Sequence, residues 1–509
     1  MSKGTSFFER ACLALALMAL FYILTILLAL FLLVLPVALT GGPERPAPLV
    51  WIYVFCWPLG LVVLLSLRPR RNNFRPPGIL LAEEQSPRLF AMLRRVADAA
   101  KQPMPEEVCL SLDFEAGVMQ RGDVMGLGGI RVLIIGLPLA GVLGERELES
   151  VLAHEFGHYS GGDAALGSLV HTTHAAIERM VESLDGRALQ LAYLLACNLF
   201  LRLTRAVSRQ QEFAADRAAA ELCGARAHAS ALLKITRCNP LFTAYMNEQF
   251  MPLALRNFTP QMLAGFNAKL GAPSSKEFLD KPIDDMIAER STANSYSTHP
   301  SLRQRLEALG VDAAAITASA LAAEDSAPRA IALFDDLDAL ERRLLDATLT
   351  PPKDGSERVH IKWEDVFKTC FEPEWEEGLR PFAAELEALA MRDIGALATD
   401  KERLKNFFKE KLPAIDETAW IRAAARLLGA AVSCALVARG AAGSVRPGRP
   451  TEVACNGKAI APFELLFDLV EGRATAEQWS AGCDDLGIGG IPLSICCAPP
   501  KDSDLAASG

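Results

Sequence analysis

From Ala11 to Pro43 the chain carries no charged residue, and Leu, Ala, Phe and Ile dominate the run. A transmembrane helix needs roughly 20 apolar residues, so the pattern predicts a span closed by Pro36 and the turn Gly41-Gly42-Pro43. A second uncharged run covers Pro46 to Leu67, with Trp51, Tyr53 and Trp57 in its first half and Pro58 as an expected kink. Aromatic side chains near the end of a span suit the headgroup region. The short connection, Thr40 to Pro48, makes the two runs a helical hairpin. A cleaved signal peptide would carry only roughly 7–15 apolar residues and no second span. Lys3 and Arg10 precede the first run and Arg68, Arg70, Arg71 and Arg75 follow the second, while the turn between holds only Arg45, offset by Glu44. That asymmetry puts both termini on the cytoplasmic side.

Beyond residue 75 the pattern changes to that of a folded domain. Ser86-Pro87 predicts a helix start, Ser capping and Pro in the first turn, with the helix running to about Lys101. Strands are expected near Glu107 to Phe114 and Arg131 to Gly136, separated by the glycine-rich stretch Gly126 to Gly129. A helix from about Glu145 follows, with Glu145, Glu147 and Glu149 at its start, where acids favour the helix dipole. It continues through His158 and stops at Ser160-Gly161-Gly162. A further helical stretch covers Arg187 to Leu222 and ends at Gly224. Its apolar part, Ala188 to Leu201, is too short for a comfortable span and reads as a buried or interfacial helix. The Ala-rich stretch at 313–328 reads as a linker. Residues 329–509 alternate acidic helices with Pro/Gly turns and carry no motif. The expected organisation is a hairpin anchor at 1–75, a catalytic domain at 76–312, the linker, and a C-terminal region of unknown role.

The 509 residues are 51% hydrophobic and 22% charged, with a formal net charge of -9 and a mean hydropathy of +0.20. This excludes a disordered chain. The acidic balance, without long basic runs, gives no electrostatic footprint for nucleic acid. Twelve scattered cysteines without a C-x-x-C pair are not a disulfide scaffold, and they read as reduced thiols.

The chemistry lies in His154-Glu155-Phe156-Gly157-His158. Histidines at i and i+4 share one helix face and can hold one zinc ion, while the intervening glutamate reaches a water on the metal. The same helix carries Leu148, Val151, Leu152 and Phe156 for packing. A catalytic zinc site takes three protein ligands and keeps one position open. The candidate third ligand is Glu212, in Ser208-Arg209-Gln210-Gln211-Glu212-Phe213-Ala214-Ala215-Asp216. One helical turn on, Asp216 can hydrogen-bond the far nitrogen of a ligand histidine and set its orientation.

With H-E-x-x-H, then Asp163, then S-R-x-x-E-F-x-A-D, then Thr298-His299-Pro300-Ser301 and Arg305, residues 80–310 resemble the HtpX-like membrane zinc metalloendopeptidases. That family is of the gluzincin type and is related to the CaaX prenyl protein endopeptidases. The resemblance implies His154, His158 and Glu212 as zinc ligands and Glu155 as the general base. It implies supporting roles for Asp163, Arg209, Asp216 and Arg305. It also implies His299 near the site, as first choice for oxyanion stabilisation ahead of Tyr159 and Arg305. The strand before the metal helix carries Asn-Ala in the family; here the matching substrate-binding pair is Glu115-Ala116. An extended substrate is expected against a strand edge near Val132 to Ile135 or residues 113–118. His171, His174, His228 and His360 read as ordinary structural residues, and Trp375 and Trp420 belong to the unread C-terminal part.

The expected fold class is α+β, mainly helical: a two-helix transmembrane hairpin, a zincin-type domain with a small β-sheet, and a mainly helical C-terminal region. The expected protein is a zinc-dependent endopeptidase of the cell membrane, the inner one in a bacterium. It would be multi-pass with a cytoplasmic active site, one Zn²⁺ per chain, and peptide or membrane-protein substrates, with a role in membrane-protein quality control. The alternative is a catalytically idle metalloprotein that serves as a membrane scaffold through its C-terminal region.

Overall fold

The computed structural model describes residues 7–40, 50–66, 74–122, 129–158, 209–281, 300–312, 328–351, 356–408 and 417–493. They divide into two compact units, one of residues 1–239 with 281–348 and the other of residues 240–280 with 349–509.

The first unit opens with two apolar helices, α1 (Phe7–Thr40) and α2 (Val50–Ser66). They lie against one another, and Trp57 Nε1 donates to the Leu33 carbonyl at 3.1 Å. Gly60 allows this approach: a β-carbon there would meet Leu33 Cγ at 3.0 Å and the Ala29 carbonyl at 3.1 Å. Pro36 does not end α1, contrary to expectation; the helix runs past it, and Pro58 likewise lies inside α2. Pro removes one backbone donor, a cost that packing against a second helix offsets. Within these two helices the described apolar stretches are Ile23–Leu39 and Trp51–Leu65.

The folded part after the hairpin is built on a four-stranded sheet in the order β1-β2-β4-β3. Its strands are β1 (Gly78–Leu80), β2 (Glu107–Ser111), β3 (Ala116–Arg121) and β4 (Ile130–Gly136). β2 and β4 run parallel, and β3 and β1 flank them antiparallel. Residues 132–136 of β4 are all buried, as a strand covered on both faces requires. β4 is therefore interior, so Val132 to Ile135 cannot offer an open edge. The edge belongs to β3, on which the other expected edge, residues 113–118, falls; β3 itself, half-buried and containing Gly117, is not among the two strands expected.

Helix α3 (Pro87–Ala100) buries Leu89, Met92, Leu93, Val96 and Ala97, a stripe at helical spacing. Pro87 takes its first turn as expected, but the Ser86 hydroxyl donates to the Gln85 carbonyl and does not cap the helix. Lys101 closes it in the left-handed region at φ 54°. After the short α4 (Leu137–Val142), α5 (Glu145–Gly157) packs against α3 and β3. A helix at 209–223, here α6, ends at Gly224 with φ +92°. It is followed by α7 (Ala225–Tyr245). Residues 328–348 return to this unit: Gly144 and Arg329 form a β-bridge, and Ala330 N donates to the Leu143 carbonyl at 2.9 Å.

In the second unit, Phe258–Pro260 pairs in parallel with Val359–Ile361, a junction across about a hundred residues of chain. Asn257, at φ 70°, donates from Nδ2 to the Glu357 carbonyl at 2.8 Å and so secures one end of the pair. Its core is the helix Glu417–Val437, with Ala424, Ala425, Leu428, Ala431, Val432, Ala435 and Leu436 fully enclosed. This helix is long and apolar enough to cross a membrane, yet most of it is buried within the protein. A small antiparallel sheet, Ala442–Ser444, Glu452–Cys455 and Lys458–Ile460, follows it. The last two strands join through Asn456-Gly457, both at positive φ, as a two-residue hairpin turn requires. The cysteines Cys56, Cys109, Cys223, Cys238, Cys370, Cys434, Cys455 and Cys483 are free thiols.

Candidate metal centre

The start of α5 is secured before any functional residue appears. Glu147 reaches back to the Gly144 backbone N–H at 2.8 Å, satisfying an orphan donor of the first turn. The same carboxylate accepts from Ser230 Oγ at 2.6 Å and Lys234 Nζ at 2.9 Å, both on α7. Glu149 holds Arg146 and Arg95, on α5 itself and on α3. The helix that carries the histidines is thus tied at its N-terminal half to two neighbours.

At its C-terminal end α5 meets α6. Gly157 permits the contact, since its absent β-carbon would lie 3.0 Å from Ala215 Cα. Ala215 is itself fully buried. Two small residues at the crossing bring Glu212 to the histidines. His154 Nε2 and His158 Nε2 are 3.2 Å apart, His154 Nε2 and Glu212 Oε2 3.6 Å, and His158 Nε2 and Glu212 Oε1 3.8 Å. Ligand atoms each about 2.0–2.1 Å from one tetrahedral ion stand about 3.3 Å apart. The donor set and its spacing therefore fit a divalent ion of zinc size.

Glu155 stands between the two histidines in sequence. Burial pushes its carboxyl up to about 7; the Glu212 carboxylate adds to this, against the pull of His154 and Arg305. Such a group is matched to accepting a proton near neutrality.

Behind the histidines lies a buried polar network. Asp216, 1% exposed, sits with Oδ1 3.0 Å from His154 Nδ1. Arg305 clasps the same carboxylate, from Nε to Oδ2 at 2.8 Å and from Nη2 to Oδ1. Its Nη1 lies 3.7 Å from Glu212 Oε2. Burial opposes ionisation of Asp216, but the hydrogen bonds from Arg305, His154 and His228 outweigh it and hold the carboxyl well below the usual carboxylate range. Arg305 is thus committed to Asp216 in this arrangement. The helix Leu302–Ala308 presents it, capped by Ser301.

His228 is not the isolated residue the sequence suggested. It is 1% exposed, and its Nε2 is 3.0 Å from Asp216 Oδ1. Only its twelve-residue offset from Asp216 could have hinted at this, and no motif marks that spacing. His360 pairs with Thr259 Oγ1 at 2.9 Å in the second unit. Arg209, the first described residue of α6, is exposed. Asp163, His299, Tyr159, His171, His174 and the stretch 188–203 lie outside the described residues.

Glu115 and Ala116 stand where β3 begins, beside β4. The Glu115 carbonyl accepts from Gly136 N at 2.8 Å, and Ala116 pairs with Ile135. Burial and the neighbouring Asp113 raise the Glu115 carboxyl, and its charge is felt at Glu155. The open edge of the sheet thus runs beside α5.

Comparison with known proteins agrees with this geometry. Residues 83–311 match peptidase family M48. A protease HtpX homolog of Methylibium petroleiphilum is 33% identical over 171 residues, covering 30% of this chain and 57% of that protein. Homologs from Trichormus variabilis and Methanosarcina mazei are each 26% identical, over 45% of this chain and about three-quarters of their own length. The match to the first of these relatives thus spans little more than half its length, and no solved structure matches. Motif, ligand spacing and family match converge on one stretch: residues 83–311 match peptidase family M48 and are similar to the HtpX homologs.

Proposed function

We propose that the chain is a membrane-anchored, zinc-dependent endopeptidase. The observation that carries this reading is the triangle of His154, His158 and Glu212, with sides of 3.2–3.8 Å, beside a glutamate raised to about 7. His154, His158 and Glu212 hold the ion, and the fourth position is left for water and substrate. A zinc ion held there would act as a Lewis acid on a scissile carbonyl and would make a bound water acidic near neutrality. Glu155 takes the proton of the attacking water and delivers it to the leaving amine. Asp216 accepts from His154 Nδ1–H and keeps the Nε2 lone pair aimed at the ion. The substrate backbone lies along β3, adding a strand to its open edge near Glu115 and Ala116. His299, with Asp163 and Arg209 in support, completes the site, His299 stabilising the oxyanion.

The exposed apolar surface of α1 and α2, including Leu27, Phe31, Val34, Trp51 and Phe55, supports a bilayer anchor. With the positive charges flanking the hairpin, the active site then faces the cytoplasm, at the inner membrane in a bacterium. Peptides and membrane proteins are the substrates, and quality control of membrane proteins is the fitting role.

The test is cleavage of a casein-type substrate by the full-length protein in detergent, with and without chelator. Chelator-sensitive cleavage is expected, and Glu155→Gln should retain zinc while losing about 10²–10⁴-fold in kcat. Undiminished cleavage by that variant sinks the mechanism. A zinc-loaded wild-type protein without hydrolysis instead favours an idle metalloprotein acting as a scaffold.

A further inference from the structure

We infer that His228 is a positioning residue for the metal site, a second imidazole that fixes the Asp216 carboxylate and, through it, the ligand His154. This rests on the zinc-peptidase reading and extends it to a residue outside the three sequence motifs.

Two imidazoles share one carboxylate oxygen. Asp216 Oδ1 is 3.0 Å from His154 Nδ1 and 3.0 Å from His228 Nε2. A carboxylate only accepts, so each ring carries its proton on the nitrogen that faces Asp216. For His154 that tautomer leaves Nε2 bare toward His158 and Glu212, as ligation needs. Arg305 fills the remaining capacity through Nε and Nη2. Four donors meet a group with about four lone-pair sites, so removing one leaves a buried anion under-satisfied.

His228 also holds the ring directly. Its plane stacks on His154, with centroids 5.6 Å apart and 25° between planes. Its other nitrogen lies 3.3 Å from Ser150 Oγ, one turn before His154 on α5. His228 is borne on α7, whose Ser230 and Lys234 also grip Glu147 at the head of α5. One face of α7 therefore sets both the metal helix and the ligand ring.

His154, Asp216 and His228 also lie close enough to hold an ion themselves. The Arg305 guanidinium occupies both oxygens of that carboxylate, and a second cation would meet its charge at contact distance. The arrangement is a hydrogen-bonded support.

Zinc affinity of the full-length protein, measured by competition with a chromophoric chelator, tests this. His228→Phe keeps a ring without a donor, and His228→Asn keeps an amide too short to reach Asp216. His228→Gln places an N–H near the position of Nε2. The Phe and Asn variants should bind zinc about 10–100-fold more weakly, and Gln should recover most of the loss. Metal-free thermal midpoints identify any variant that fails to fold, and the comparison then rests on the other two. Wild-type affinity in Phe or Asn, or an equal loss in Gln, overturns the inference. A wild-type protein that binds no zinc sinks the peptidase reading and this inference with it. A zinc-binding wild type with indifferent variants sinks this inference alone.

Discussion

Gly157 lies so close to Ala215 that a β-carbon on it would stand 3.0 Å from Ala215 Cα and 3.3 Å from Ala215 Cβ. The two residues sit between His154 and His158 on one helix and between Glu212 and Asp216 on the other. The spacing of the candidate ligands is thus set by a contact between two residues outside the candidate ligand set. Backbone against backbone leaves no room for a larger side chain. Gly157→Val should part the helices and weaken zinc binding at least about tenfold, since ligand atoms must keep their distances within about 0.2 Å. Unchanged zinc affinity in a folded variant would show that the helices can slide without cost.

Metal removal should lower stability as well as activity. An ion that binds only the folded state stabilises it by about 4 kcal/mol when present at 1,000 times its dissociation constant. Chelation should therefore lower the melting temperature of the wild type by several degrees. His154→Ala and Glu212→Ala should melt at one temperature with or without chelator, because neither retains a complete ligand set. Differential scanning fluorimetry in detergent reads both.

Arg305 and Asp216 form an ion pair largely withdrawn from water, with side-chain exposures of 15% and 1%. Removing one partner leaves an uncompensated buried charge, which costs about 3–5 kcal/mol. Arg305→Met should destabilise by about that amount, as read by thermal unfolding of the metal-free protein. Restoring charge with Lys should recover only part, because one ammonium cannot reproduce the two-pronged contact. Equal stability of the Met variant and the wild type would place the network's energy elsewhere.

Three apolar helices compete for the membrane, and their surroundings separate them. The hairpin exposes Leu24, Leu27, Phe31, Val34, Trp51 and Phe55, whereas Glu417–Val437 turns most of its apolar surface into a protein core. A hydrophobic carbene probe in vesicles should modify residues 23–39 and 51–65 and spare 419–437. Labelling confined to 419–437 would reverse the assignment of the anchor.

Much of the site could be read from the chain because its parts are local. Helical periodicity puts His154 beside His158 and Glu212 beside Asp216 whatever the rest of the protein does. The α5 helix begins at Glu145 as its acids indicate, and Gly224 ends α6 where a glycine was expected to. β3 escaped notice because an edge strand needs neither a continuous apolar run nor full burial. Which of the two expected edges is open, 113–118 rather than Val132 to Ile135, follows only from the order of strands in the sheet.

His228 and the two-unit division show the other side. Nothing near His228 in sequence calls for a histidine; it acquires its meaning from α7 folding over α5 and α6. Nor does the sequence between 240 and 280 announce its pairing with residues beyond 349, since a parallel strand pair such as Phe258–Pro260 with Val359–Ile361 has no local turn to reveal it. The sequence by itself determined the two apolar runs, the helix that carries His154 and His158, and the types of the candidate donors. Tertiary structure alone decided which small residues touch, which edge stays open and which second histidine supports the first. Periodicity within one element is a property of neighbouring residues, whereas packing between elements depends on shapes and distances that no short stretch of chain encodes.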